Sequence, residues 1–112
     1  MAFPSKVEVW RADLGVGKGH EQEKERPALV WKDLDHVKMA IIIPFTTNQK
    51  LEDLPHTYLV TPTSKNGLTE ESIAMVFQIR TIDKERMIKK IGELDEDDIT
   101  SIGAILKDML RL

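Results

Sequence analysis

Met39-Ala40-Ile41-Ile42-Ile43 is the stretch that most narrows the folds open to this chain. It is β-branched and unbroken by any polar residue, which predicts a central strand covered on both faces. Pro44 ends that strand or sets it at an edge. The other segments must therefore pack around it. Val7 and Val9 alternate with Glu8 and Trp10 toward Leu14 and predict a first strand. Ala28-Leu29-Val30-Trp31 predicts a second, buried strand, and Asp33 to Lys38 a polar turn. After Pro44, Thr46 to Pro55 reads as a polar loop. Thr57 to Thr61 is a short strand closed by Pro62 and the Asn66-Gly67 turn signal. Ser72 to Ile82 reads as the longest strand, with Ile73, Met75, Phe77 and Ile79 on one side and Gln78, Arg80 and Ile82 on the other. Lys84 to Lys90 fits a helical turn or a strand equally well.

The C-terminal segment has a different period. Ile99, Ile102, Ile105, Leu106, Met109 and Leu110 recur every three to four residues, the stripe of an amphipathic helix. Asp95 is placed to cap it, and Glu96, Asp97 and Asp98 suit the positive end of its dipole. Several short strands and one terminal helix predict a mainly β fold, a small and strongly curved antiparallel sheet or barrel, as one domain over residues 1–112. A core of that size is modest, and pairing two copies would bury more apolar surface.

The composition removes several function classes. Cysteine is absent, which excludes disulfides, thiol nucleophiles and cysteine-based zinc sites. The longest apolar run, Met39 to Phe45, is far too short to cross a bilayer, and the N-terminus lacks the apolar core of a signal peptide. A cytoplasmic protein with no membrane association is expected. The net charge of −3 is unevenly spread. Residues 93–112 carry six acids and two bases, a balance of −4, which leaves +1 for residues 1–92. A locally basic groove able to meet a polyanion is thus compatible with an acidic total.

Gly15 to Trp31 carries the candidate chemistry. Glycines at 15, 17 and 19 lead into His20, Glu21 and Gln22, then a charged run ending at Arg26, which Pro27 is expected to stop. The three histidines, His20, His36 and His56, have no ligand spacing, so no metal or other cofactor is expected. The glycines lack the spacing before a lysine and hydroxyl residue that a phosphate-binding P-loop needs, and no serine stands in a nucleophile elbow. What is left is acid–base work beside a cation. Cleavage of RNA by its own 2′-hydroxyl needs no more than that, because the substrate supplies the nucleophile. His20 or Glu21 can exchange protons, Arg26 can stabilise charge on the phosphorane, and Thr46 can bond a phosphate oxygen. These groups meet only if the segment after Leu14 folds over the end of the 39–45 strand.

Four blocks in this order resemble the MazF/PemK family of toxin endoribonucleases: Gly19-His20-Glu21-Gln22, Arg26-Pro27-Ala28-Leu29-Val30, Pro44-Phe45-Thr46-Thr47 and Gln78-Ile79-Arg80-Thr81-Ile82-Asp83-Lys84. The match runs from about Lys6 to Leu112. The resemblance implies an SH3-like barrel with a C-terminal helix, assembled as a two-fold homodimer. It implies metal-free cleavage of single-stranded RNA at short sequences, leaving 2′,3′-cyclic phosphate and 5′-hydroxyl ends, and a MazE-like antitoxin that blocks the RNA groove. Arg26 matches the catalytic arginine of the family's Arg-Pro motif, and Thr46 its catalytic threonine. Glu21 and His20 fall where members use one or the other. Gln22, Thr47, Asn48 and Gln78 are candidate RNA contacts. Some members instead place an arginine and an aspartate where this chain has Met75 and Phe77, so that variant of the mechanism is absent. Arg80 and Asp83 are read as a buried structural pair at the dimer seam, and His36 and His56 as exposed and silent. A related barrel family that poisons DNA gyrase by binding, and a non-toxic interaction module, are the rival readings.

Overall fold

A computed structural model describes residues 7–15 and 25–112. Among these, strands β1 (Glu8–Asp13), β2 (Glu25–Leu34), β3 (Met39–Thr46), β4 (Thr57–Val60), β5 (Ser72–Met75), β6 (Arg80–Asp83) and β7 (Met87–Glu93) precede one helix, α1 (Glu96–Leu110). All pairings are antiparallel, in the order β4-β5-β3-β2-β1-β7, with β6 also paired to β3. Strand β3 is central and covered on both faces, as its composition requires. Its odd residues Ile43 and Phe45 join the main core with Val9 of β1, Leu29 of β2, Val60 of β4 and Ala74 of β5. Its even residues Ala40 and Ile42 join a second cluster with Ala12, Ala28 and Ile82. Residues from β1 and β4, with three strands between them, meet in one cluster, so the sheet wraps around the main core.

Helix α1 packs on that core through Ile99, Ile102 and Leu106. Leu110 leaves the expected stripe and is 53% exposed, because the helix ends at Arg111 in a left-handed conformation. Asp95 occupies the N-cap position but makes no side-chain cap; its carboxylate instead meets Lys65 Nζ at 3.2 Å. Tyr58 ties β4 to the helix by donating to Asp98 Oδ1 at 2.7 Å. Burial first, and then that carboxylate, push the Tyr58 hydroxyl above its ordinary pKa.

The run from Ser72 to Ile82 is not one strand. Ala74 lies opposite Phe45, whereas Arg80 lies opposite Ile42. Two residues separate the partners on β3 and five separate them on the β5–β6 segment, so three residues are surplus. They form the 3₁₀ turn Val76–Gln78, which stands off the ladder and leaves Phe77 39% exposed. Lys84 to Lys90 realises both of its expected forms in succession, a 3₁₀ turn at Lys84–Arg86 and then β7. The polar segment after β3 likewise contains a 3₁₀ turn, Gln49–Asp53. Arg80 and Asp83 do not form a buried pair within the chain: both are exposed, and Arg80 donates to the Leu14 carbonyl at 3.1 Å.

Between β4 and β7 the described residues show a loop, 61–71, in place of a ladder. Glu93 N–H donates to the Lys65 carbonyl at 2.9 Å. The chains approach closely enough that a Cβ on Gly92 would collide with the Asn66 backbone, and one on Gly67 with the Ile91 carbonyl. Gly67 also has φ +72, which favours glycine. Asn66, only 2% exposed, organises the loop. Its Oδ1 accepts from Thr63 N and Leu68 N, and its Nδ2 donates to the Thr61 carbonyl, each at 3.0 Å.

Candidate active site

The β2–β3 register brings the two principal candidates together. Ala28 stands opposite Pro44 and Leu29 opposite Ile43. Continuing that register by two places sets Arg26 across from Thr46, although twenty positions separate them in sequence. The β2–β3 ladder itself stops at Ala28 and Pro44, and Thr46 pairs on its other side with Ile73 of β5. Arg26 is not in a loop, and Pro27 does not stop the segment. Strand β2 begins at Glu25, and Arg26 and Pro27 pair with Ala12 and Arg11 of β1. A proline is tolerated there because the β2–β3 ladder starts only at Ala28, so the missing N–H lies near the strand end.

At this end of the strands lies a depression of about 240 Å³ bordered by Arg11, Arg26, Thr46, Thr47, Leu68 and Glu70, among others. Arg26 and Thr46 are both half-buried, and Arg26 has partners of its own. Thr46 Oγ1 accepts from the Asn48 backbone N–H at 3.2 Å. This bond fixes the oxygen but does not consume the hydroxyl hydrogen, which can still be donated to a phosphate oxygen. Thr47 is exposed on the rim. Asn48 is exposed just beyond it, its Oδ1 accepting from Lys50 N at 3.1 Å at the start of the 3₁₀ turn. Gln78 sits on the turn that stands off β3 and does not border the depression. His20, Glu21 and Gln22 lie outside the described residues.

The remaining histidines divide. His36 is exposed on the 3₁₀ turn Asp35–Val37. His56 is half-buried rather than exposed, with φ +61, and its Nε2 lies 3.8 Å from Asp108 Oδ2. Among the described residues no three His, Asp or Glu side chains are grouped as a metal would need, and no helix is long and apolar enough to cross a membrane.

Two groups of the depression were not singled out in the sequence. Arg11 Nε lies 3.5 Å from Glu25 Oε1, and both border the depression. By strand alternation Arg11 and Glu25 fall on the face opposite Arg26 and Thr46; all four reach the depression because it opens at the strand ends. The opposite wall, Leu68 to Glu70, hangs from the Asn66 hydrogen bonds. The site therefore contains two arginines and two glutamates. Such a set can bind an anion through guanidinium groups once the carboxylates give way.

Comparison with known proteins gives a consistent result. A model of the family described as PemK-like, MazF-like toxins of type II toxin–antitoxin systems matches residues 5–110. The endoribonuclease EndoA of Bacillus subtilis is 32% identical over 108 residues, covering 94% of this chain and 92% of that protein. The crystal structure of MazF from Deinococcus radiodurans superposes with a TM-score of 0.74 at 20% identity, covering all of both chains. A MazE–MazF crystal structure from the same organism superposes with a TM-score of 0.72 at 21% identity, covering 100% of this chain and 99% of that one.

Proposed function

Since this chain belongs to the family of PemK-like, MazF-like toxins of type II toxin–antitoxin systems, we propose that it is an endoribonuclease toxin that cuts single-stranded RNA at the Arg26–Thr46 end of its sheet. One observation supports the placement: Arg26 and Thr46, on the neighbouring strands β2 and β3, border one open depression. The 2′-oxygen of the substrate attacks the adjacent phosphorus, the P–O5′ bond breaks, and the products are a 2′,3′-cyclic phosphate and a 5′-hydroxyl. The proton of the 2′-hydroxyl leaves to a base and one returns to the 5′-oxygen; His20 and Glu21 are the candidates for this exchange. Arg26 holds the extra negative charge of the phosphorane, a contact stronger in the transition state than in the ground state. Thr46 donates to a non-bridging oxygen and orients the phosphate. No metal or organic cofactor enters this scheme.

The finer assembly belongs to the same proposal. The wrapped sheet with its loop-bridged ends is read as an SH3-like barrel, two copies form the active dimer, and an acidic, MazE-like antitoxin occupies the RNA groove. A cytoplasmic site of action follows from an RNA target and a protein partner of this kind. Incubating the purified protein with a long RNA in buffer containing EDTA tests the proposal. Discrete fragments bearing cyclic phosphate and 5′-hydroxyl ends are expected. Intact RNA together with inhibited supercoiling by DNA gyrase would replace the enzyme with a binding toxin.

A further inference from the structure

We propose that Arg11 is a second phosphate-binding group of the site, which Glu25 occupies while the site is empty and an RNA phosphate takes over on binding. The inference rests on the RNA-cleaving reading above. Arg11 and Arg26 stand on adjacent strands, Arg11 across from Pro27 and Arg26 across from Ala12. They extend from opposite faces of the sheet, but both reach the depression at the strand ends, where an RNA strand with its scissile phosphate at Arg26 can present a neighbouring phosphate to Arg11. Arg11 is accessible for this: its side chain is 42% exposed, and that of Glu25 is 52% exposed.

The existing ion pair is weak enough to exchange. It is made through Nε at 3.5 Å, longer than a charge-assisted hydrogen bond of about 2.8 Å. Exposed pairs of this kind contribute little. A phosphate accepts from a guanidinium in the bidentate mode that suits its planar donors. Exchange carries an electrostatic cost, because Glu25 and Glu70 both border a depression that a polyanion must enter. Glu25 thus lowers the affinity of the site for RNA, and Arg11 raises it. The pair divides the work with Arg26: Arg11 binds a phosphate that does not react, so its contribution is equal in the ground and transition states and falls on KM.

The test is a charge cycle on the whole protein, with a single-stranded RNA that the parent cuts. Arg11→Gln is expected to raise KM about tenfold with kcat changed less than twofold. It should also reduce the slope of log binding against log salt by about 0.7, the value of one phosphate contact on a single strand. Arg11→Lys should restore most of the salt slope. Glu25→Gln is expected to lower KM at low salt, and to do so by a clearly smaller factor when Arg11→Gln is present. An unchanged KM and salt slope in Arg11→Gln, or a loss confined to kcat, overturns the role given to Arg11 while the parent still cuts RNA. A Glu25→Gln effect of undiminished size in the Arg11→Gln background overturns the exchange. A parent that neither binds nor cuts RNA overturns this inference together with the reading beneath it.

Discussion

Asn66→Ala should be the most damaging single truncation outside the apolar core. The Asn66 side chain makes three hydrogen bonds to backbone groups of one loop, at Thr61, Thr63 and Leu68. A net value of about 1 kcal/mol for each gives about 3 kcal/mol. The Leu68 N–H is buried, so water cannot easily replace its partner, and the true cost lies at or above this figure. The bond from Asn66 N–H to Thr63 Oγ1 involves only the backbone at position 66 and survives the change. For a domain of this length about 1 kcal/mol corresponds to about 4 °C, so Tm should fall by about 12 °C. Thermal unfolding followed by circular dichroism, at matched protein concentration because assembly shifts Tm, measures it directly. The consequence extends to the site, since Leu68 and Glu70 border the depression. RNA affinity should therefore fall even at temperatures where the variant is folded. A loss below about 1 kcal/mol would refute the view that Asn66 holds this wall.

Three further outcomes follow from the same geometry. Gly92→Ala places a methyl group against the Asn66 backbone, and Gly67→Ala adds a left-handed φ to a collision with the Ile91 carbonyl; each should cost about 2 kcal/mol or more in denaturant unfolding, and a neutral result for both would mean the loop is not clamped to β7. The folded-state pKa of Tyr58 is raised, so its contribution to stability is fully present below the unfolded value of about 10 and is lost as pH climbs through the folded value. The stability gap between parent and Tyr58→Phe should accordingly narrow above about pH 10, and a gap that widens there would reverse the assignment. Light scattering at micromolar concentration should return the mass of a dimer, and a monomer would contradict the proposed assembly.

Much of this architecture can be read from particular residues. The apolar β-branched run at Met39–Ile43 announces a strand with two dry faces, and the stripe from Ile99 to Met109 announces the helix. The sequence suggests a loop folding over a strand to bring Arg26 toward Thr46; in the structure the two instead stand on adjacent antiparallel strands and border one depression. The break at Val76–Gln78 was not legible, because Ser72 to Ile82 keeps its alternation and only the pairing with β3 reveals three surplus residues. Asp95 takes the N-cap position that the sequence indicates, but Lys65 draws its carboxylate away from the cap, and Leu110 stays exposed where the helix ends. Arg11 carried a faint signal. It interrupts an apolar alternation, and an antiparallel first hairpin puts it beside Arg26, but without the register it reads as one more solvated charge on a strand.

The most direct test of the central claim is the rate of RNA cleavage by parent, Arg26→Ala and Thr46→Val proteins, each shown to be folded, on one single-stranded substrate and on its all-deoxy counterpart. Cleavage of the RNA alone is expected, with kcat reduced at least about 10²-fold by Arg26→Ala, the scale of a lost charged transition-state contact, and by a smaller factor in Thr46→Val. Parental rates in a folded Arg26→Ala protein, or cutting of the deoxy strand, would contradict it.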